Sequence, residues 1–332
     1  MKKLNAILFV LGAGFLAYLL WRVGITELWR EVGSLGWGLV PFILCEGASE
    51  FIHVAGWRHC LSGVHRSLPM TLLFRIRMAG YAINYLTPTA AMGGELTKAA
   101  LLASNHRGAE AVTGVLIGKI CFAFAHLLFV VIGSIVCLWR IDLPRALWLA
   151  MSISGGLIAT GMVAFLLIQK YGKLGVLVRW LASRNVGGSI IHQAARGISE
   201  VDETLKVFYQ QRPGDFLKAV CWHQLGYSVG IFQTWLFFNL LHQNGSWALA
   251  AGLWFLGMWF DLLTFAVPMN VGTLEGTRIV ALRAIGYSSL MGMTYGVALR
   301  LAQLVWSALG LAIYGCLVRQ DSRQLANSKP CP

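Results

Sequence analysis

The sequence carries little charge for its length and lacks the motifs of several common enzyme classes. Only 12% of its 332 residues are charged, whereas 57% are hydrophobic. It contains no HExxH zinc motif, no Gly-rich phosphate loop ending in Lys-Ser/Thr and no nucleophile elbow. These absences exclude the zinc proteases, nucleotide-driven pumps and hydrolases that such motifs identify. The composition is typical of a polytopic membrane protein.

Cysteine is present, but not in a pattern that binds metal or forms a disulfide framework. None of the seven cysteines belongs to a CxxC pair, and most lie in apolar segments, where a free thiol packs as a small hydrophobic side chain. The sequence therefore predicts no metal site and no cofactor. The cysteines are Cys45, Cys60, Cys121, Cys137, Cys221, Cys316 and Cys331.

Long apolar stretches predict an all-α membrane fold. Several approach the ~20 residues that a helix needs to cross a bilayer. Two further apolar stretches, 71–103 and 247–286, are each broken midway by a proline and are predicted to be re-entrant helical hairpins. Full transmembrane helices are predicted near 4–21, 37–57, 111–139, 147–168, 217–241 and 290–318.

The net charge of +13 fits a membrane protein better than a nucleic-acid-binding protein. With six spans and two hairpins, most Lys and Arg fall on the side that holds Lys2 and Lys3. The positive-inside rule then places both termini in the cytoplasm. The N-terminal apolar segment is interpreted as a retained first span. The basic segment at 169–216 is either a helix on anionic headgroups or an ordinary cytoplasmic loop.

An unusual spacing of proline, acid and base occurs once in each half of the chain. Pro88-TAAMGG-Glu95-LT-Lys98 recurs as Pro268-MNVGTL-Glu275-GT-Arg278. A proline interrupts a helix, and charges at membrane depth are tolerated where they line a protein-enclosed or watery cavity. Two such breaks at matching places predict a transport site built from a repeat.

The topology divides the single membrane domain into two repeats, 1–140 and 141–332. Each has an odd number of full crossings, so the second is predicted to be inverted relative to the first. The hairpin tips would then approach each other near the bilayer midplane. Each repeat also places one base, Lys119 or Arg300, in the span that follows its hairpin.

The helix that restarts after each proline is predicted to bind phosphate through its free amide groups and its dipole. The acid and the base of each motif are close enough in sequence to pair on one helix face. The alternative is that these charges only hold the broken backbone and each other. The residues predicted to line or support the passage are Pro88, Gly93, Gly94, Glu95, Lys98, Lys119, Pro268, Gly272, Glu275, Arg278 and Arg300.

The second span carries Glu46, Glu50 and His53 on one helical face. Glu-x-x-His is the spacing of di-iron bundles, but no second copy exists in the sequence. This face is therefore predicted to line the polar cavity and to meet a cation. The candidate cations are Arg75, Arg77, Lys119 and Arg300. Asp261 is a candidate counter-ion for a cavity base.

Two segments, NYLTPTAAMGGELTKAALLA at 84–103 and FAVPMNVGTLEGTRIVALRAIGY at 265–287, resemble the flippase-like integral membrane family. That family includes the transmembrane region of bacterial lysylphosphatidylglycerol synthases. The resemblance covers nearly the whole chain, but the aminoacyl-transfer domain that follows in some members is not in this sequence. It implies a lipid flippase of the bacterial cytoplasmic membrane, acting on a phospholipid, a polyprenyl-linked lipid or a hopanoid-type lipid.

Membrane lipids, with an anionic headgroup, are the expected partners, and nucleic acid is not. A homodimer and lipid-biosynthesis enzymes of the same pathway are further candidates. Two other functions stay open at this point. One is an intramembrane lipid-modifying enzyme that uses Glu50 and His53, and the other is a secondary transporter of a small soluble solute.

Overall fold

The described parts of the chain fold almost entirely into α-helices. The computed structural model describes residues 2–86, 93–103, 108–140, 142–170, 180, 183, 206–243, 245–264 and 267–327, and these ranges contain no β-strand. The helices are α1 (Lys2–Val23), α2 (Ile25–Ser34), α3 (Leu39–Cys60), α4 (Gly63–Ser67), α5 (Met70–Leu86), α6 (Gly93–Ala103), α7 (Gly108–Arg140), α8 (Arg145–Lys170), α9 (Pro213–Leu240), α10 (Trp247–Thr264), α11 (Thr273–Ala284) and α12 (Ser289–Asn327).

Five helices in the described ranges are long and apolar enough to cross a membrane. They are Gly36–Cys60, Glu110–Arg140, Arg145–Ile168, Trp247–Thr264 and Ser289–Gln320. Four of them coincide with predicted spans, whereas the fifth was predicted to be one arm of a hairpin. The predicted first span lies within α1, whose apolar stretch is Ala13–Val23. The predicted span 217–241 forms the 28-residue α9, but its polar residues make it less apolar than the five.

Helices α3 and α9 form the most extensive helix pair of the protein. They run antiparallel, because residues early in α3 meet residues late in α9. The Gln233 side chain donates to the Phe42 carbonyl at 2.9 Å, and the Ser49 hydroxyl donates to the Gly226 carbonyl at 2.9 Å. These polar contacts fix the register of two helices that carry few charges.

Two histidines and two glycines interlock where α3 crosses α9. The His53 ring lies against Gly226, and the His223 ring lies against Gly56. The two rings share a hydrogen bond between their Nδ1 atoms at 3.0 Å. Small residues allow close helix approach, so each glycine makes room for the histidine of the other helix.

The first proline motif separates two helices that pack against each other. α5 ends at Leu86 and α6 begins at Gly93, while Pro88 lies outside the described residues. The Gly94 amide donates to the Asn84 side chain at 2.7 Å, so α5 caps the start of α6. A side chain at Gly94 would collide with the Gly80 backbone, which explains why a glycine stands there.

The second motif also interrupts a helix. α10 ends at Thr264, a short 3-10 turn covers Pro268–Asn270, and α11 begins at Thr273. Met269 and Asn270 have positive φ angles of 55° and 48°, and Gly272 has a φ of 74°. Glycine adopts such a backbone at little cost, so Gly272 suits the turn that starts α11.

Some helices of residues 1–140 pack on helices of residues 141–332, and others pack on their neighbour in the sequence. α5 packs on α12 and α10 packs on α7, while α6 and α11 each pack on the helix that follows them. The short α2 buries Leu28 and Val32 against α11 and α12. Most of the predicted basic segment at 169–216 lies outside the described residues.

The interlock predicts a stability change for Gly226→Ala. A Cβ at this position would lie 2.5 Å from Cε1 of His53. We expect the free energy of unfolding in detergent to fall by about 1–3 kcal/mol, the usual effect of overpacking. Gly156→Ala in α8 is the matched control, because nothing lies within 4 Å of its Cβ. Equal stability of the two variants would contradict the interlock.

Candidate functional site

A cavity of about 180 Å³ lies among α3, α5, α6 and α7. Its wall carries several charged side chains, although the surrounding helices are apolar, and it contains both members of several ion pairs. The lining residues are Glu50, Trp57, Arg77, Tyr81, Asn84, Glu95, Lys98, Gly118, Lys119 and Phe122. Five charged side chains that face one space inside an apolar bundle are expensive to bury, which indicates function.

The first motif supplies the central acid of this cavity. Glu95 forms ion pairs with Lys98, one turn later on α6, and with Lys119 of α7, whose Nζ lies 3.4 Å from a carboxylate oxygen. The predicted local pairing within this motif is therefore present. Lys98 is almost fully buried, whereas about a third of the Lys119 side chain is exposed. Lys119 is thus the more accessible base.

Of the four candidate cations, Arg77 is the one that pairs with an acid of α3. Its Nε donates to a carboxylate oxygen of Glu50 at 2.6 Å, and both side chains are buried. Arg75 is half-buried on the same helix and makes no ion pair with an acid in the described ranges. Arg77 therefore belongs to the cavity wall and does not extend to the headgroups.

Aromatic rings cover the bases of the first cavity. Lys98 lies 5.5 Å from the Trp57 ring centre, and Arg77 and Lys119 lie 5.2 and 6.0 Å from the Phe122 ring centre. Ring faces attract cations, so these contacts help to keep the bases charged away from water. The cavity carries three bases and two acids, an excess of one positive charge.

A second cavity, of about 150 Å³, shares Glu50 and Phe122 with the first. It extends toward α9, α10, α11 and α12, and its additional charged residues are Glu46, Asp261 and Arg278. Glu46 accepts a hydrogen bond from the Tyr81 hydroxyl at 3.1 Å. Acids outnumber bases here, so the two cavities differ in the sign of their net charge.

Arg278 does not pair with the acid of its own motif. Its two terminal nitrogens donate to both carboxylate oxygens of Asp261 at 2.8 and 2.7 Å, and one also donates to the Gly257 carbonyl. The expected pairing with Glu275 is wrong because α10 packs beside α11 and brings an acid opposite the guanidinium. A planar guanidinium binds a carboxylate best through two parallel bonds.

Glu275 instead pairs with Arg300 of α12. The carboxylate is fully buried, and a second contact of the pair, from Nη2, measures 3.0 Å. Arg300 also donates to the carbonyls of Met269 and Asn270 at 3.2 and 2.9 Å, and to the Tyr85 hydroxyl at 3.2 Å. Neither member of the pair lines the two cavities, so this pair fastens the broken backbone.

The predicted residues thus separate into three groups. Those that line a cavity are Glu46, Glu50, His53, Arg77, Glu95, Lys98, Lys119, Asp261 and Arg278. Gly94, Gly272, Glu275 and Arg300 shape or hold the backbone, Gly93 begins α6, and Pro268 begins the 3-10 turn. Pro88 lies outside the described residues.

Several cavity residues were not predicted from the sequence. Tyr81 and Asn84 lie one and nearly two helical turns after Arg77, and Trp57 lies two turns after Glu50, so a helical projection of known site residues would have suggested them. His223 was not among the predicted residues, and its ring pairs with that of His53. The repeated His-x-x-Gly pattern, at His53 and His223, was the signal that could have revealed this pair.

The described residues contain no group of three His, Cys, Asp or Glu side chains arranged to hold a metal ion. His53 borders the second cavity beside Glu50, but its nearest polar partner is the His223 ring. The cavities can therefore offer ion pairs, hydroxyl groups and ring faces to a polar group.

The fastening role of Glu275 makes its neutralisation costly. Glu275→Gln leaves the partly buried Arg300 without a counter-charge inside the bundle, and we expect the free energy of unfolding to fall by about 3 kcal/mol. Glu46→Gln is the matched control, because glutamine can still accept from Tyr81, and we expect a change below about 1 kcal/mol. Thermal unfolding in detergent compares the two variants. A Glu275→Gln protein as stable as Glu46→Gln would contradict the fastening role.

Comparison with known proteins agrees with the sequence resemblance. A search of curated proteins and a search of solved structures each find no match. A family model described as the lysylphosphatidylglycerol synthase TM region matches residues 5–310. The match includes every cavity residue and both proline motifs. The chain is a multi-pass membrane protein that belongs to the family of the lysylphosphatidylglycerol synthase TM region.

Proposed function

We propose that the protein moves an anionic, polar-headed lipid between leaflets as a non-enzymatic flippase or scramblase. The observation that carries this proposal is the pair of adjoining charged cavities inside an apolar bundle. Buried charges around a polar space are typical of a substrate path. Membership in a lipid-related membrane family supports a lipid as the substrate.

The charge of the first cavity suits a phosphate group. Lys98 and Lys119 both face the space, and only Glu95 lies between them. A phosphate arriving near Lys119 would exchange its hydration shell for a charge-assisted hydrogen bond. The more acidic second cavity would take the hydroxyl-bearing or cationic part of the headgroup.

An apolar groove provides a place for the lipid tails. It has a volume of about 370 Å³ between α7 and α8, and its wall includes Ile120, Ala123 and Phe165. Ala123 is one helical turn after Lys119 and therefore lies on nearly the same face of α7. A headgroup could occupy the first cavity while its tails stay in the apolar groove. A transporter of a soluble solute has no need for this combination.

Inverted repeats and re-entrant hairpins are part of this proposal. The acid of each motif pairs with a base in the helix after its hairpin, as Glu95 does with Lys119 and Glu275 does with Arg300. α6 and α11 have 11 and 12 residues, so each rises about 16–18 Å and is too short for a 30 Å hydrocarbon core. The shared pairing supports a repeat and the short helices support re-entrant arms, while entry from opposite faces follows from the odd number of full crossings predicted in each repeat.

We place the protein in the bacterial cytoplasmic membrane with both termini in the cytoplasm, as the positive-inside rule favours. The proposed transport does not require the hydrolysis of a nucleotide. The proposed phospholipid, polyprenyl-linked or hopanoid-type cargo shares an anionic headgroup, and enzymes that make this lipid are candidate partners, as is a second copy of the chain.

Neutralising Lys119 is the most direct test of transport, because this base is accessible and its loss should not unfold the protein. In proteoliposomes that contain a fluorescently labelled anionic phospholipid, we expect Lys119→Gln to slow translocation about tenfold, the effect of losing one charge-assisted hydrogen bond. Lys119→Arg should restore most of the rate. Chemical quenching of the label in the outer leaflet measures the rate.

Arg22→Gln is the matched control, since Arg22 is exposed and outside both cavities. A labelled zwitterionic phospholipid should respond less to Lys119→Gln than the anionic one. The substrate assignment fails if Lys119→Gln moves the anionic lipid at the wild-type rate. It also fails if Arg22→Gln slows transport equally.

Transport without chemistry predicts that the lipid leaves the protein unaltered. We expect mass spectrometry of proteoliposome lipids, taken before and after prolonged incubation, to give identical molecular masses. Empty liposomes provide the control for spontaneous breakdown. A new lipid mass that depends on the protein and disappears in His53→Gln would instead establish an intramembrane enzyme.

A further inference from the structure

A third space, separate from the two polar cavities, lies at the surface of the bundle where α3 ends. It is a groove of about 570 Å³ among α3, α4, α5 and α9. Its wall combines apolar and basic residues, none of which lines either polar cavity. The lining residues are Phe51, Ile52, Ala55, Arg58, His59, Arg66, Met70 and Trp222.

The groove is apolar at depth and basic at its end. Five of its residues lie on one face of α3, from Phe51 to His59. Arg58 follows Phe51 by seven residues, or about 10 Å along the helix axis, and is two residues from the end of α3. On the antiparallel α9, Trp222 lies about 10 Å further along the helix axis than Asp215, toward the interior of the bundle. The apolar part therefore lies deeper in the bundle than the basic part.

Asp215 organises the basic end but neutralises only part of it. Arg66 donates to both of its carboxylate oxygens at 2.8 and 3.0 Å, and the Arg212 Nε donates at 2.7 Å. His59 also contacts the carboxylate at 3.3 Å. Arg58 makes no ion pair with Asp215, so its positive charge adds to that of the two arginines that share this acid.

Arg58 is held in place while its charge stays available. Its Nε donates to the Arg66 carbonyl at 2.9 Å, which orients the guanidinium beside the groove. Its terminal nitrogens meet no acceptor among the residues that the structure describes. A guanidinium fixed at one nitrogen and free at the others is arranged to bind a phosphate through two parallel bonds.

We infer that this groove binds one anionic phospholipid, with its phosphate on Arg58 and one acyl chain along Phe51, Ile52 and Trp222. The excess positive charge attracts the headgroup, and the apolar wall matches a chain that extends into the bilayer. The bound lipid anchors the last turn of α3 and the first turn of α9 to the membrane leaflet nearest the groove. It does not depend on the proposed transport, because it shares no residue with the polar cavities.

Retention of lipid by the purified protein tests this inference. The full chain is purified in mild detergent, mixed with phosphatidylglycerol or phosphatidylcholine, and examined by native mass spectrometry. We expect one phosphatidylglycerol per chain to stay bound, and phosphatidylcholine to bind more weakly because its headgroup has no net charge. Arg58→Gln should reduce phosphatidylglycerol retention about tenfold.

A second variant keeps the test valid if Arg58→Gln disturbs α4. Ala55 faces the groove, so Ala55→Phe should fill the path of the acyl chain and reduce retention without removing a charge. Arg22→Gln is the charge control and should retain lipid like the wild type. Lipid retention in detergent involves no translocation, so its outcome separates a failure of the site from a failure of the transport proposal.

Three results would overturn the inference. Wild-type retention of phosphatidylglycerol by both Arg58→Gln and Ala55→Phe would exclude the groove as the binding site. An equal loss in Arg22→Gln would mean that the lipid responds to net charge. Equal retention of the two lipids by the wild-type protein would mean that the phosphate end of the groove does not select an anion.

Discussion

Matching of buried charge is the constraint on which this structure depends. A lone ion inside an apolar bundle is unstable, so each buried acid needs a nearby base. Glu50, Glu95, Asp261 and Glu275 meet this requirement through partners on other helices or on the next turn, whereas Glu46 accepts a hydrogen bond from the Tyr81 hydroxyl. The pairs are Glu50–Arg77, Glu95–Lys98, Glu95–Lys119, Asp261–Arg278 and Glu275–Arg300. Because most pairs join two helices, the charges also set how the helices are placed.

The two proline motifs use similar residues for different purposes. In the first, Glu95 faces a cavity and is shared by two lysines. In the second, Glu275 is sealed from the cavities, and its partner Arg300 holds the carbonyls of the 3-10 turn. The first half of the bundle therefore keeps an accessible charge, that of Lys119, at its cavity. The second half fixes a rigid break, and its cavity base, Arg278, is occupied by Asp261.

Local sequence patterns predicted the helices, the interruption before α11 and the ion pair between neighbouring turns of α6. Apolar runs predicted the helices, and a proline predicted the interruption before α11, because both effects act within a few residues. Glu95 and Lys98 are three residues apart, so helical spacing alone brought them together.

Long-range partners could not be predicted in this way. Asp261 meets Arg278, and His53 meets His223, only because of how whole helices pack and in which register. Helical periodicity gives the face on which a residue lies, but not the helix that covers that face. Lys119 and Arg300, which the sequence grouped as corresponding bases, each pair with the acid of a proline motif. Helical spacing misassigned the partner of Arg278, because Asp261 on α10 lies opposite its guanidinium.

The hydrogen bond between His53 and His223 has a consequence for the symmetry of the molecule. Both rings present the same atom, Nδ1, so one must donate a hydrogen while the other accepts it. The two halves therefore differ at their crossing point, even where the surrounding glycines correspond. Exchanging donor and acceptor requires both rings to change tautomer together. The accepting ring carries its hydrogen on Nε2, so this N–H belongs to a different histidine in each arrangement. The centre of the bundle thus has two possible polarities, set by which ring carries its hydrogen on Nδ1.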